Sequence, residues 1–238
     1  MSGRHCRFQA DRLISTSVTQ LIPEDPATWT IKEARVVKIG SKAPDFTANT
    51  TKGPITLSQF RGKWVLLFAH PADFTPVCTT EFIEFARRNK EFKDLGCEVI
   101  GLSVDSIYSH IEWLRQMEET AKVKIEFPVV ADPEKIVANL YDLINPEVGL
   151  TVRGVFFIDP EGVVRFSMYY PIPFGRNIDE ILRSLKALQT VDKYKVACPV
   201  NWQPGQEVIE PAPQTLEEAD KRAKEVGANR WYWKTKRI

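Results

Sequence analysis

The chain has 238 residues, 43% hydrophobic and 26% charged, ordinary globular usage that excludes disorder, collagen and coiled coil as descriptions of the whole. Its 32 Lys and Arg against 31 Asp and Glu leave a net charge of +1, without the basic excess of a nucleic-acid binder. No uncharged apolar run approaches the roughly 20 residues of a membrane helix, so neither a nucleic acid nor a membrane is an expected partner.

Residues 1–36 are irregular, punctuated by Pro23 and Pro26, and read as an N-terminal extension of unknown role. Its start is Arg- and Ser-rich and poor in acids, which matches an organelle transit peptide only loosely, and it lacks the apolar stretch of a secretory signal. The expected location is cytoplasmic.

The pattern becomes regular from Gly40, and residues 37–190 read as one domain. Trp64–Ala69 has no polar face and predicts a buried strand, followed by a helix from about Cys78 to Leu95 with Phe82, Phe85 and Phe92 near one face. Val99–Val104 predicts a second apolar strand. Ser106 then caps a helix with a stripe of Ile107, Ile111 and Leu114. Phe127–Val130 is a short strand, and Asp132-Pro133 opens a helix through Tyr141. Leu150–Ile158 and Val163–Tyr170 are strands joined at Asp159-Pro160-Glu161-Gly162, a hairpin signal, before a last core helix carrying Ile178, Ile181, Leu182, Leu185 and Leu188. Alternation implies a parallel portion and the hairpin an antiparallel one: an α/β protein with a mixed sheet, in an order that fits a thioredoxin-like fold.

Residues 191–238 change character. Pro199, Pro204, Pro211 and Pro213 describe an extended arm, and Thr215 caps a helix with Glu218 completing a capping box and Leu216, Ala219, Ala223 and Val226 on one side. The arm's Val196, Val200, Trp202, Val208 and Ile209 need a surface to cover, which predicts a homodimer.

The chain has 4 Cys, none in C-x-x-C spacing, and 3 His, none clustered with Cys, which argues against a disulfide scaffold or a structural zinc site. The chemistry concentrates in His70-Pro71-Ala72-Asp73-Phe74-Thr75-Pro76-Val77-Cys78-Thr79-Thr80-Glu81, at the carboxyl end of the first buried strand. Cys78 falls in the first helical turn, where unpaired N–H groups and the helix dipole favour an anion, the reactive form of a thiol. Thr75 stands one turn earlier, able to donate to the sulfur or to a bound oxygen. Pro71 and Pro76 stiffen the loop.

Pro-Ala-Asp-Phe-Thr-Pro-Val-Cys-Thr-Thr-Glu closely resembles the active-site signature of the peroxiredoxins, the AhpC/TSA family of thiol peroxidases. Ala43-Pro44-Asp45-Phe46 resembles the family's opening motif and Gly101-Leu102-Ser103-Val104-Asp105 its second strand. Thr151-Val152-Arg153-Gly154-Val155-Phe156 resembles the segment with its catalytic arginine. The resemblance covers roughly residues 37–230 and is closest to one-Cys members of bacterial and archaeal type.

The resemblance implies that Cys78 attacks a peroxide oxygen and becomes a sulfenic acid, with hydrogen peroxide and small alkyl hydroperoxides as substrates and no cofactor or metal. Thr75, the Cys78 N–H and Arg153 would stabilise the transition state, Glu81 would orient Arg153, and Arg176 would be a second arginine near the pocket. His70 resembles the pocket-side His of one-Cys members. His110 reads as a structural residue on a helix surface. An external thiol or thioredoxin-like donor is the favoured reductant, as in one-Cys members. Yet Ala197-Cys198-Pro199 also resembles the resolving segment of two-Cys members, so resolution by Cys198 of a partner subunit stays open. Dimers of the family assemble into rings, often of five dimers. The alternative activity is a holdase chaperone on the same scaffold. A phospholipase is not expected, because no Gly-x-Ser-x-Gly occurs and Lys63 stands where its Ser would be.

Overall fold

The computed structural model describes residues 37–238; the N-terminal extension, with Cys6 and the reading of a transit-like tail, lies outside the described residues. In chain order the elements are β1 (Thr47–Ala48), β2 (Ile55–Thr56), β3 (Trp64–Ala69), α1 (Pro76–Asp94), β4 (Cys97–Ser103), α2 (Ile107–Ala121), β5 (Val129–Ala131), α3 (Ile136–Leu140), β6 (Arg153–Ile158), β7 (Val164–Tyr170), α4 (Ile178–Tyr194), β8 (Val208–Ile209), α5 (Leu216–Val226) and β9 (Thr235–Lys236).

The central sheet has five strands in the order β5-β4-β3-β6-β7. The β3, β4 and β5 strands run parallel, and β6 and β7 add antiparallel to β3, so the sheet is mixed. The lack of a polar face on β3 has a simple cause: Leu66 and Phe68 pack with α1, α2 and α4, while Val65 and Leu67 face α3 and residues of the segment 37–57. All six β3 residues are buried. Phe82, Phe85 and Phe92 of α1 close the first layer, and truncating one to Ala would cost about 3–5 kcal/mol. At the β6–β7 turn, Asp159 accepts from Val163 N–H at 2.8 Å, and Gly162 takes a positive φ of 74°.

Several sequence expectations shift. The α1 helix begins two residues early, because Pro76 suits a first position that needs no N–H donor. Of the apolar stripe expected on α2, Leu114 packs against the core, but Ile111 is 43% exposed, and the fully buried residues are His110, Trp113 and Met117. Both sets have helical spacing, and the bond to Asp73 is what lets a polar His110 turn inward. Asp132 caps a shorter helix, its carboxylate accepting from the N–H groups of Ile136 and Ala138. Thr151 pairs with Ile144 outside the sheet, so β6 begins at Arg153.

In the arm, β8 pairs with β9, and Val196, Trp202 and Val208 bury against Ala187 of α4. Part of the apolar set expected to need a partner is thus covered by its own chain. The rest is not: Val200 is 88% exposed, Leu216 is 86% exposed, and α5 has no buried residue. Thr215 caps α5 by accepting from Glu218 N–H, while the Glu218 carboxylate reaches Gln214 N–H rather than the cap's own.

Candidate active site

The buried β3 strand delivers the chain to a short loop and then to the first turn of α1. Phe74 holds a left-handed φ of 56°, unusual for a bulky side chain, and Thr75 is the extended N-cap. The first ladder bond of α1 runs from Thr79 N–H to the Thr75 carbonyl at 3.0 Å. The Cys78 N–H therefore lies before the ladder begins, free for a ligand at the sulfur.

Cys78 is fully buried, and its Sγ accepts from Nη1 of Arg153 at 3.3 Å. Arg153 opens β6, and two groups aim it through three hydrogen bonds. Its Nη1 also donates to Glu81 Oε2 at 2.7 Å, and its Nε and Nη2 donate to the Ile172 carbonyl at 2.9 and 2.6 Å. Glu81 lies one helical turn beyond Cys78, so α1 presents thiol and carboxylate together.

Arg176 completes the cluster. Its backbone N–H and Nε donate to Glu81 Oε1 at 2.8 and 2.9 Å, and its Nη2 donates to Oε2 at 2.6 Å. Its Nη1 reaches the carbonyls of Ala69 at 2.8 Å and Gly154 at 3.2 Å, and its guanidinium lies 5.0 Å from the Phe68 ring centroid. One carboxylate thus serves two buried guanidiniums. Burial pushes the Glu81 carboxyl up, but Arg176 and then Arg153 hold it below the usual carboxylate range. The cluster keeps one cation in excess, with Arg153 on the sulfur.

Thr75 differs from its expected geometry: its hydroxyl donates to the Ala72 carbonyl at 2.8 Å, not to Sγ. With its proton committed, the oxygen is left as an acceptor. Pro71, at the start of the same loop, is buried.

His70 bonds Asp73, not the sulfur. Its ring is fully buried, its Nε2 lies 2.8 Å from Asp73 Oδ1, and it stacks on Trp113 at 5.2 Å. Burial pulls its imidazole below the ordinary His range, and its Nδ1 has no partner. The other oxygen of Asp73 meets His110 Nδ1 at 2.7 Å. His110 is therefore buried in the loop's support, which corrects its reading as a surface residue. Asp73 went unrecognised for the same reason. Among the described residues, His70, Asp73 and His110 are the one group of metal-ligating types brought together. The available signal was His110-x-x-Trp113-x-x-x-Met117, a buried stripe at helical spacing.

Cys198 stands apart from this site. It is a free, partly buried thiol whose Sγ faces the Ala187 carbonyl at 3.8 Å, and burial pushes its pKa up. The fourth thiol, Cys97, is a core residue that burial pushes far above the ordinary thiol range.

Residues 39–167 match the model of the AhpC/TSA family, and residues 187–225 match the C-terminal domain of 1-Cys peroxiredoxin. A peroxiredoxin of Thermoplasma volcanium is 59% identical over 198 residues, 83% of this chain and 98% of that one. Peroxiredoxin 2 of Thermoplasma acidophilum is 59% identical over 82% of this chain and 98% of its own length. Among solved structures, a yeast mitochondrial 1-Cys peroxiredoxin, described with thiol resolution through glutathione and thioredoxin systems, superposes with a TM-score of 0.76 and 39% identity, covering 85% of this chain and 100% of that one. The reduced 2-Cys peroxiredoxin of Plasmodium vivax gives 0.68 at 32% identity, covering 72% and 92%.

Proposed function

The chain belongs to the AhpC/TSA family and is a peroxiredoxin, a thiol-dependent peroxidase, and from that premise we propose that Cys78 is its nucleophile toward hydrogen peroxide and small alkyl hydroperoxides. The observation that carries the reading is the Arg153 guanidinium at 3.3 Å from a buried sulfur in the first turn of a helix.

The Cys78 thiolate attacks one oxygen of ROOH. An S–O bond forms to the terminal oxygen as the O–O bond breaks, the sulfur is oxidised to a sulfenic acid that keeps the hydroperoxide's proton, and the leaving alkoxide takes a proton from solvent to become ROH. Negative charge spreads over sulfur and both oxygens in the transition state. Arg153 and the Cys78 N–H donate to it from fixed positions, which is where preorganised donors contribute most. Thr75, its own proton given to Ala72, accepts from the incoming hydroperoxide and sets its angle. Glu81 holds Arg153, Arg176 holds Glu81, and Pro71 and the ring of His70 pack the loop. Thiol-dependent peroxide consumption is expected to vanish in Cys78→Ser; retained turnover in that variant would overturn the assignment.

An external thiol closes the cycle. It condenses with the sulfenic acid to a mixed disulfide and water, and a second thiol releases Cys78. The Cys198 thiol faces Ala187 rather than the pocket, so using it would require both the arm and the Cys78 turn to move within the roughly 7 Å that a disulfide demands. After one equivalent of peroxide, non-reducing electrophoresis is expected to give monomer with sulfenic acid on Cys78. A covalent dimer lost in Cys198→Ser would establish the two-Cys route instead.

The protein assembles with itself through the arm of residues 191–238, as a dimer and then as a ring. The bare apolar side of α5 and exposed Val200 are the surfaces that support this. Sedimentation as a monomer at micromolar concentration would rule it out.

A further inference from the structure

The buried group formed by His70, Asp73 and His110 does not touch the sulfur, yet it grips the loop that carries Thr75. We propose that His110 is a positioning residue for the peroxidase reaction, acting through Asp73 to fix the Ala72–Asp73 peptide and thereby the Thr75 hydroxyl. The inference rests on the peroxidase reading and names a further residue it requires.

The chain of contacts is short. His110 projects from α2 and meets Asp73 Oδ2 at 2.7 Å, and its Nε2 meets the Val130 carbonyl of β5 at 3.1 Å. That anchors the Asp73 side chain to two elements outside the loop. The Asp73 backbone N–H donates to Asp105 Oδ2 at 3.0 Å, and the same oxygen accepts from Ser103 Oγ at 2.6 Å. The Asp73 N–H and the Ala72 carbonyl belong to one peptide plane, so holding the first aims the second. The Ala72 carbonyl is the group that takes the Thr75 proton, at 2.8 Å. Rotating this plane would release that proton and turn Thr75 from acceptor to donor.

A second tether from α2 serves the same turn. Trp113 Nε1 donates to Thr79 Oγ1 at 3.2 Å, and that hydroxyl donates to the Thr75 carbonyl at 2.8 Å. The left-handed φ of 56° at Phe74, between the two tethers, is a strained conformation that persists only where neighbours over-determine it.

Proton sharing describes the group better than metal binding. The Asp73 oxygens lie 2.8 Å from His70 Nε2 and 2.7 Å from His110 Nδ1, whereas ligands about 2.1 Å from a tetrahedral zinc stand about 3.4 Å apart. An ionised carboxylate can only accept, so Asp73 takes one N–H from His110 Nδ1 and one from His70 Nε2. Asp73 then meets two N–H donors and nothing buried on it is left unpaired.

The test compares variants at one position. An Asn amide nitrogen can stand where His Nδ1 stood, and a Gln amide nitrogen where Nε2 stood. His110→Asn therefore keeps the contact to Asp73, and His110→Gln keeps only the contact to Val130. Two rates are read on the full chain: peroxide reaction of Cys78 by stopped-flow fluorescence, and iodoacetamide alkylation of Cys78 by mass mapping. Alkylation needs the thiolate and access but no aligned hydroperoxide. His110→Ala is expected to slow the peroxide reaction about 100-fold, the scale of an ångström-sized misplacement, while alkylation stays within about threefold. His110→Asn is expected to recover most of the peroxide rate and His110→Gln little of it. Equal recovery by Asn and Gln, a peroxide rate in His110→Ala within about threefold of the parent, or peroxide and alkylation rates falling together would overturn the proposal. Loss of cooperative folding in both amide variants would do so too, making His110 a stability element. Failure of the peroxidase reading itself shows separately, as activity surviving Cys78→Ser.

Discussion

Downstream of Cys78 a single carboxylate, Glu81, sits between two guanidiniums; upstream of it a single carboxylate, Asp73, sits between two imidazoles. Both groups are buried, and both carboxyls are held below their ordinary range against the opposing effect of burial. The difference lies in what the partners can do with protons. A guanidinium is a permanent cation, so the Glu81 group carries excess positive charge that cannot be titrated away, and it sits on the sulfur. An imidazole can move its proton between nitrogens, so the Asp73 group can rearrange its donors and adds shape more than field. The geometry separates two tasks: one group supplies charge to the reaction and the other holds the backbone that receives the substrate.

The largest effect should come from the charged group. Arg153→Met removes the guanidinium that donates to Sγ and is expected to lower the peroxide rate about 10³-fold, the scale of a lost transition-state donor. Arg153→Lys should recover little, because an ammonium cannot keep the paired bonds to Ile172 while reaching both Glu81 and the sulfur. A stopped-flow rate for Arg153→Met within tenfold of the parent would mean that Arg153 is scaffolding.

Next comes the contrast in stability. Glu81→Gln leaves two buried guanidiniums without their counter-ion and is expected to cost about 3–5 kcal/mol in urea unfolding. Asp73→Asn should cost less, about 1–3 kcal/mol, because His70 can move its proton to the unpartnered Nδ1 and accept from the new amide. Equal losses in the two variants would erase the distinction drawn between the groups.

These groups also mark where reading the chain succeeds and where it stops. The β3 strand was legible because it is apolar on both faces, and Cys78 and Thr75 stood out at the start of the helix that follows it, whereas Arg153 and Glu81 took their roles from the resemblance, supported for Arg153 by the cost of a charge in an apolar strand. Arg176 was legible only through resemblance, since nothing local distinguishes it from an exposed Arg ahead of a helix. Asp73 and His110 were not legible as a pair. They lie 37 positions apart and meet only when β4 and α2 fold back beside the loop, a long-range contact that periodicity cannot report. The same blindness put Ile111 inward and His110 outward on α2.

The smallest effect is the most diagnostic of the imidazole group. Burial keeps His70 neutral in the folded protein, against the pull of Asp73 and Asp105 and with His110 opposing a second charge nearby. Its folded value lies below the value of about 6.5 it takes in the unfolded chain. Between these two values the unfolded chain binds a proton that the folded one does not, so acidification favours unfolding. The stability due to neutral His70 is complete above about pH 6.5 and is lost as pH falls toward the folded value, by at most about 1.4 kcal/mol per pH unit. The carboxyls of Glu81 and Asp73 act in the same direction but only below about pH 4, where unfolded carboxyls begin to protonate. Urea unfolding followed from pH 7.5 to 5 thus isolates the imidazole group. His70→Gln places an amide nitrogen near Nε2, preserving the contact to Asp73 while removing the titration. It is expected to flatten stability over this interval and to leave the steeper loss below pH 4 in place. An unchanged slope between pH 6.5 and 5 in His70→Gln would assign that loss to another group and remove the contrast in proton handling on this side of Cys78.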